Sequence, residues 1–263
     1  MKAFNKFIKH SYWGSYAISC LHCVESTVLP HVISDERAVR KYYKKWTGKE
    51  LDRDNPKSFT EKLNCYKLDS HDILMQQCAD KVSVRDYVME KGYGELLNEI
   101  YGIYYSVDEI DIETLPKQFV LKASHGSQMN FIVKNKSDFN WKRAKRMMRS
   151  WLHQDIYWSG REWVYKNLPR RIIAEKYLED ESGGLRDYKF YCFNGHPQIM
   201  QLEMGRNTDN EVRNFYDMDW TLLPFGKGIP YDTETYIEKP AMFEKMKEIA
   251  TNLCAPFSFV RVD

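Results

Sequence analysis

The sequence predicts an α+β chain, and three observations carry that prediction. Apolar residues recur at helical spacing through most of positions 1–115. After Leu115-Pro116 the texture changes to short apolar runs bounded by turn residues, among them Asn194-Gly195, the strongest short hairpin signal in the chain. Helices and strands then mix without strict β-α-β alternation, which favours α+β over a doubly wound parallel sheet.

Each element follows from a local pattern. Lys2, Lys6 and Lys9 precede Tyr12, Trp13 and Tyr16, while His22 and Glu25 interrupt any signal-peptide core. Such a basic, aromatic N-terminal helix suits peripheral contact with an acidic membrane face, or docking on the protein with one wet face. Arg37 to Trp46 carries Val39, Tyr42, Tyr43 and Trp46 at helical spacing, with Gly48 as a stop. After the Asn55-Pro56 turn, Ser58-Phe-Thr-Glu61 has capping-box form and opens a helix through Leu68. A further helical stretch is expected over Ile73 to Lys91, ending at Gly92. Gln118 to Ala123 and Asn130 to Lys134 read as a hairpin. Trp141 to Leu152 reads as a helix whose basic run (Arg143, Lys145, Arg146, Arg149) is a solvated face. Arg171 to Leu178 is an apolar strand entering the loop Asp180-Glu-Ser-Gly-Gly184. Asp187 to Phe193 and Pro197 to Met204 flank the Asn-Gly turn. Val212 to Met218 and Trp220 to Leu223 add strand, Met242 to Leu253 a helix, and Phe257 to Asp263 a last strand.

Composition excludes some classes. The chain has 263 residues, enough for one large domain or two smaller ones. With 39 Lys and Arg against 37 Asp and Glu, it is no nucleic-acid binder driven by bulk charge. No run of about eighteen apolar residues offers a membrane span. The 6 cysteines have no framework spacing, which predicts a reduced, cytoplasmic protein. Cys20-Leu-His-Cys23 has the local look of a metal or redox pair, without a second pair to complete a zinc site.

The chemistry starts at Phe119-Val-Leu-Lys-Ala-Ser-His-Gly126, an apolar strand that delivers Lys122 into a small-residue turn. An ammonium at the mouth of such a turn, together with successive backbone N–H groups, can hold phosphate oxygens from two sides. A solvated strand-end lysine is the competing reading. The order of residues is not that of a P-loop, and a second strand rather than a helix follows.

Six phrases then occur in order: Asp54-Asn-Pro-Lys-Ser-Phe-Thr-Glu-Lys62, Ala79-Asp-Lys81, the Lys122 segment, Gly160-Arg-Glu-Trp163, Ala174-Glu-Lys-Tyr-Leu-Glu179 and Asp187-Tyr-Lys-Phe190. Over about residues 40–263 the sequence resembles the ATP-grasp superfamily, and most closely the TupA-like family associated with teichuronopeptide and capsular polysaccharide synthesis. The resemblance implies two α+β lobes clamping ATP: a mainly helical region over 1–115, a small lobe with the phosphate-binding hairpin over 116–178, and a C-terminal lobe over 179–263. It implies ATP and Mg²⁺ as cofactors, and a carboxylate acceptor and an amine donor as partners.

It also implies roles. Lys81 and Lys122 match the lysines on the α- and β-phosphates, and Ser124, His125, Gly126 and Ser127 the loop over the triphosphate. Glu175, Lys176, Tyr177 and Leu178 match the strand that offers an acid and backbone groups to adenine. Glu179, Asp180 or Asp187 would bind ribose. Arg261 matches the arginine on substrate or transferred phosphate, and Asp263 the Mg²⁺ ligand. Relatives continue past this strand into a return strand with further metal ligands. The sequence ends at Asp263, so an incomplete C-terminal lobe is expected, as a fragment or a divergent member, with the last strand at an edge.

Other readings stand beside these. Lys81 could pair with Asp80 or Glu90 along a helix, and Glu175 could be a wet strand position. His125 could be a general base or make only local hydrogen bonds. Arg161, Glu162, Trp163 and Tyr165 form an acceptor or lid contact, or pack a helix end. A glycosyltransferase of the same pathway would need a metal motif, and Asp217-Met-Asp219 has only the letters of one. A non-catalytic nucleotide-binding remnant is the third alternative.

Overall fold

The computed structural model describes residues 11–28, 32–179, 185–205, 211–226, 228, 231–234 and 236–263, without the side chains of Glu25 and Ser26. Lys2, Lys6, Lys9 and the Asp180–Gly184 loop lie outside these residues. The elements named below are numbered among the described residues.

The helices come first. α1 spans Tyr12–Val28, and α2 spans Asp35–Thr47 between a Ser34 cap and Gly48. α3 (Phe59–Asp69) opens with a complete capping box, Ser58 accepting from the Glu61 N–H and Glu61 from the Ser58 N–H. The helix expected over Ile73 to Lys91 is instead two, α4 (Ile73–Ala79) and α5 (Val84–Glu90). The break lies at Asp80, whose carboxylate accepts from the Val82 N–H at 3.3 Å and the Ser83 hydroxyl at 2.8 Å. Such local bonds compete with the helix ladder. Lys81 therefore sits in a turn, not on a helix.

A strand inside the expected helical region is a second correction. β1 (Ile100–Tyr104) pairs with β4 (Ile172–Lys176). Five residues rich in Ile and Tyr are too few to show a period, and tertiary pairing decides their state. β2 (Phe119–Ala123) and β3 (Asn130–Val133) form the expected hairpin, and the antiparallel sheet has the order β1-β4-β2-β3. Phe119, Leu121 and Ala123 alternate inward and meet Ile172 and Ala174 beneath α6 (Trp141–Leu152). That helix contributes Ala144, Met147, Met148 and Trp151 to the same core, and the short α7 (Tyr157–Gly160) follows it.

A second antiparallel sheet has the order β7-β6-β5-β8. β5 (Asp187–Phe193) and β6 (His196–Met204) are joined by Asn194 and Gly195 at φ 49° and 76°. Both angles are positive, as a type I′ hairpin turn requires. β7 is Val212–Tyr216, and β8 (Phe259–Val262) pairs with β5 at the sheet's edge. Trp220 to Leu223 is not a strand: Trp220 turns back at φ 70°, leaving a single bridge from Leu222 to Tyr216. α8 (Phe243–Cys254) covers one face of the sheet through Phe243, Ala250 and Cys254, against Phe190, Cys192, Met200 and Leu202.

The mixture of helices with two antiparallel four-stranded sheets is the expected α+β architecture. The chain divides into two units, one of residues up to Tyr87 with Asn98–Tyr177, the other of Val88–Leu97 with Leu178–Asp263. The N-terminal helices thus share a unit with the Lys122 hairpin. Among the described residues no helix is long and apolar enough to cross a membrane.

Candidate active site

In the first unit, strand alternation decides what faces out. Since Phe119, Leu121 and Ala123 are core, Lys122 lies on the opposite face of β2. The register sets Val120 against Glu175 and Lys122 against Ile173, so Lys122 and Glu175 are diagonal neighbours. Their side chains form an ion pair.

Lys81 is tied to the turn that follows β2. Its N–H donates to the Ser124 carbonyl at 3.2 Å, and its ammonium donates to the carbonyls of Gly126 and, at 3.5 Å, Ser124. Burial first, and then the charge of Lys122, pushes the Lys81 pKa down to about 8, against the opposing pull of Asp80 and Glu175. Asp80 does not serve as the partner of Lys81 along a helix. It is buried in an ion pair with Arg171, whose carbonyl accepts the Ser124 N–H at 2.9 Å. Arg171 therefore braces both the Lys81 turn and the start of the Lys122 loop.

The four loop residues divide into two kinds. Ser124 is fully committed, its hydroxyl donating to the Pro169 carbonyl at 3.2 Å and its N–H to Arg171. Among the described residues, by contrast, nothing accepts the N–H groups of His125, Gly126 and Ser127. The His125 ring is buried and makes a 3.0 Å hydrogen bond with the Trp151 carbonyl, so Nε2 carries the proton. Burial pushes its pKa down to about 4, with Arg170 and Lys81 adding to the shift and the carbonyl opposing it. A neutral ring held in the core fits the local-bond reading, not a general base. A Cβ at Gly126 would stand 3.1 Å from Met129 Sδ and 3.2 Å from Ile156 Cδ1, so the turn is packed from behind. Three N–H groups without an acceptor among the described residues, on a turn held by the Lys81 ammonium, are donors of the kind a polyphosphate needs.

The positions expected around adenine are unequal. Glu175 is occupied by Lys122. The Lys176 N–H already donates to the Glu99 carbonyl at 2.9 Å, and its carbonyl accepts from Asn98 at 2.8 Å. Tyr177 lies with its ring centroid 5.6 Å from the Lys134 ammonium, and Leu178 is exposed. Of the ribose candidates, Asp180 lies outside the described residues, Glu179 is exposed, and Asp187 is in β5.

Two other candidates resolve into structure. Arg161 is buried, with its guanidinium 4.5 Å from the Trp158 ring centroid and 3.5 Å from Asp35, which is helix-end packing. Asp217 spends its carboxylate on the N–H groups of Asp219 (2.9 Å) and Thr221 (2.7 Å), closing a turn.

In the second unit the sheet face opposite α8 is charged. Register places Asp187 beside Glu203, Lys189 beside Gln201, Tyr191 beside Arg261 and Glu203 beside Arg213. Lys189 donates to Glu203 at 2.6 Å and Asp187 at 3.1 Å, and Arg213 reaches Glu203 at 2.7 Å. Gln201 donates to Glu203 at 2.7 Å and accepts from the Tyr191 hydroxyl at 2.8 Å. Arg261 grips both oxygens of Asp263, at 2.5 and 2.7 Å. Burial works against the Arg261 charge, but Asp263 and Tyr191 outweigh it and raise the pKa above its ordinary value.

The TupA-like ATPgrasp family model matches residues 61–263. The chain belongs to the TupA-like ATP-grasp family. No curated protein matches it with significance. The ATP-grasp fold generally binds ATP with Mg²⁺, and the two groups fit unequally. The Lys81, Lys122 and His125–Ser127 donors fit the phosphates. The metal fits less well: among the described residues no three His, Cys, Asp or Glu side chains gather to hold an ion, and Asp263 is already bound by Arg261. Sequence reading missed Arg171, Lys189, Gln201, Glu203 and Arg213. The visible signal was period two, with polar residues at 187, 189 and 191 and at 201 and 203 interleaved with apolar ones.

Proposed function

We propose that this chain is an ATP-dependent carboxylate–amine ligase acting in the synthesis of a bacterial surface polysaccharide. The observation that carries the nucleotide half is the set of open N–H groups at His125–Ser127 flanked by Lys81 and Lys122. Bound ATP supplies the phosphoryl group and a good leaving group. Family membership supports the ligase class, and the family resemblance is what supports the polysaccharide setting.

The acceptor carboxylate attacks the γ-phosphorus, and the bond to ADP breaks with its electron pair leaving on ADP. The product is an acyl phosphate. An amine then adds to the acyl carbon, phosphate departs with the C–O electrons, and the amine loses a proton. The reaction brings anions together, so it needs fixed positive charge rather than a protein nucleophile. Lys81 and Lys122 orient and neutralise the nucleotide phosphates. The family resemblance assigns Arg261, fixed in this chain by Asp263 and Tyr191, to the acceptor or the transferred group. The Lys189–Glu203–Arg213 network holds the surrounding strand positions. No step is assigned to a metal.

The test is phosphate release by the purified chain with ATP, with and without a uronic or amino acid and an amine. Release that needs both is the expected result. Release of a nucleotide from a sugar donor without ATP consumption would sink the ligase reading, and nucleotide binding unchanged in Lys122→Ala would refute the phosphate grip.

A further inference from the structure

α1 carries apolar residues on its outward face as well as its inward one. Inward, Tyr12 and Tyr16 pack against the first core, the hydroxyls of Ser19 and Ser150 lie 2.6 Å apart, Gln154 donates to Ser19, and the Cys23 thiol donates to the Ser150 carbonyl at 3.3 Å. Its outward face is apolar. Trp13 is 63 % exposed, Leu21 63 % and Val24 58 %, and Ala17 and Val28 are also exposed. The spacing of these five, four-four-three-four, is one continuous helical stripe.

Cations border the stripe. The Arg146 guanidinium lies 5.8 Å from the Trp13 ring centroid and that of Arg143 5.2 Å from the Tyr12 ring. Among the described residues neither arginine has a carboxylate partner. A groove of about 310 Å³ between α1 and α6 is lined by Tyr16, Cys20, Arg146, Arg149 and His153. Arg149 is partly neutralised by Asp108 at 2.7 Å, whereas Arg146 has no carboxylate partner among the described residues. In sequence, Lys2, Lys6 and Lys9 precede the helix, and Glu25 is the only acidic residue within it.

We propose that this stripe is a docking surface for an anionic phospholipid bilayer, with Trp13, Leu21 and Val24 entering the headgroup–acyl boundary and Arg143 and Arg146 meeting lipid phosphates. An apolar stripe alone fits any partner; the arginines beside it, without a carboxylate partner among the described residues, select a negatively charged one. Such docking would hold the enzyme where lipid-linked acceptors lie.

Co-sedimentation of the full chain with phosphatidylcholine vesicles, with and without about one-third phosphatidylserine, tests this. Binding is expected only with the anionic lipid, falling at least severalfold in 0.5 M salt. Leu21→Asp/Val24→Asp, at exposed positions, should abolish it while nucleotide binding stays unchanged. Arg146→Gln should weaken it severalfold and flatten the salt dependence. No binding to anionic vesicles, binding unaffected by the double substitution, or a concentration-dependent dimer in sedimentation velocity that Leu21→Asp dissociates would each overturn the proposal.

Discussion

The two sheets have the same plan and opposite open faces. Each has four antiparallel strands with one face buried under a twelve-residue helix, α6 in the first unit and α8 in the second. In the second unit nearly every charge on the other face is answered by a neighbour, Lys189 and Arg213 converging on Glu203, and Arg261 on Asp263. In the first unit Lys122 is answered by Glu175, but among the described residues Lys81 is held by carbonyls and three N–H groups of the turn have no acceptor. The first face thus keeps donors of the kind the proposed nucleotide phosphates would answer. The second has its charges fixed in place before anything binds, the arrangement expected of a surface that must stabilise charge without reorganising.

The strongest way to break this contrast is to remove a brace. Asp80–Arg171 is buried with one ionic partner on each side, and Arg171→Met should destabilise the first unit by about 3–5 kcal/mol, because Asp80 is left charged without its partner. Glu203→Gln in the second unit should cost less, about 1–3 kcal/mol, since Lys189 retains Asp187. Denaturant unfolding of each variant measures the pair. Equal losses would mean that the second network is no more redundant than the first.

Function separates the faces next. Lys122→Ala should weaken nucleotide binding roughly 10–100-fold by calorimetry, the worth of one or two bonds to a charged group. Arg261→Ala should leave nucleotide affinity within about twofold while lowering turnover roughly 100–1,000-fold. If both substitutions act on affinity alone, the division of labour is wrong.

Much of this was legible in the sequence, for uneven reasons. The α6 helix was read with its observed bounds because twelve residues show more than three turns of period, and the β5–β6 hairpin because Asn194-Gly195 has few other uses. The Lys122 hairpin was legible as strand, turn and strand. The break at Asp80 was not, since Asp is an ordinary helix residue until a distant Arg171 fixes its carboxylate. β1 was missed because its partner, β4, lies some seventy residues on. The charged face of the second sheet was written as period two, yet nothing local says that charged residues on alternating positions converge instead of facing water.

Protonation sharpens the contrast further. The folded pKa of Lys81, about 8, lies below the unfolded value of 10.5. Between these values the unfolded chain binds more protons, so stability of the nucleotide-free protein should rise with pH across that window, by at most about 3 kcal/mol. Nucleotide affinity should run the other way. It needs the protonated lysine, so it should fall above pH 8 by up to about tenfold per unit. Lys81→Met should remove both trends, and a pH-independent affinity in the unsubstituted chain would show that Lys81 does not meet the phosphates.

The smallest expected effects separate structure from binding at two glycines. Gly195 turns the second unit's hairpin at φ 76°, and a Cβ there would lie 3.1 Å from the Ala255 carbonyl oxygen. Both the left-handed backbone and a backbone neighbour resist, so Gly195→Ala should cost about 2 kcal/mol. Gly126 meets only side-chain ends, Met129 Sδ and Ile156 Cδ1, at positive-φ strain of neither kind. Thioether and methyl ends can swing aside, so Gly126→Ala should cost under about 1 kcal/mol of stability. It should nonetheless weaken nucleotide binding severalfold, because the displaced turn carries the open N–H groups. Gly195→Ala should leave the affinity of the folded protein unchanged. The reverse pattern, binding lost at Gly195 and kept at Gly126, would take the phosphate site away from this turn.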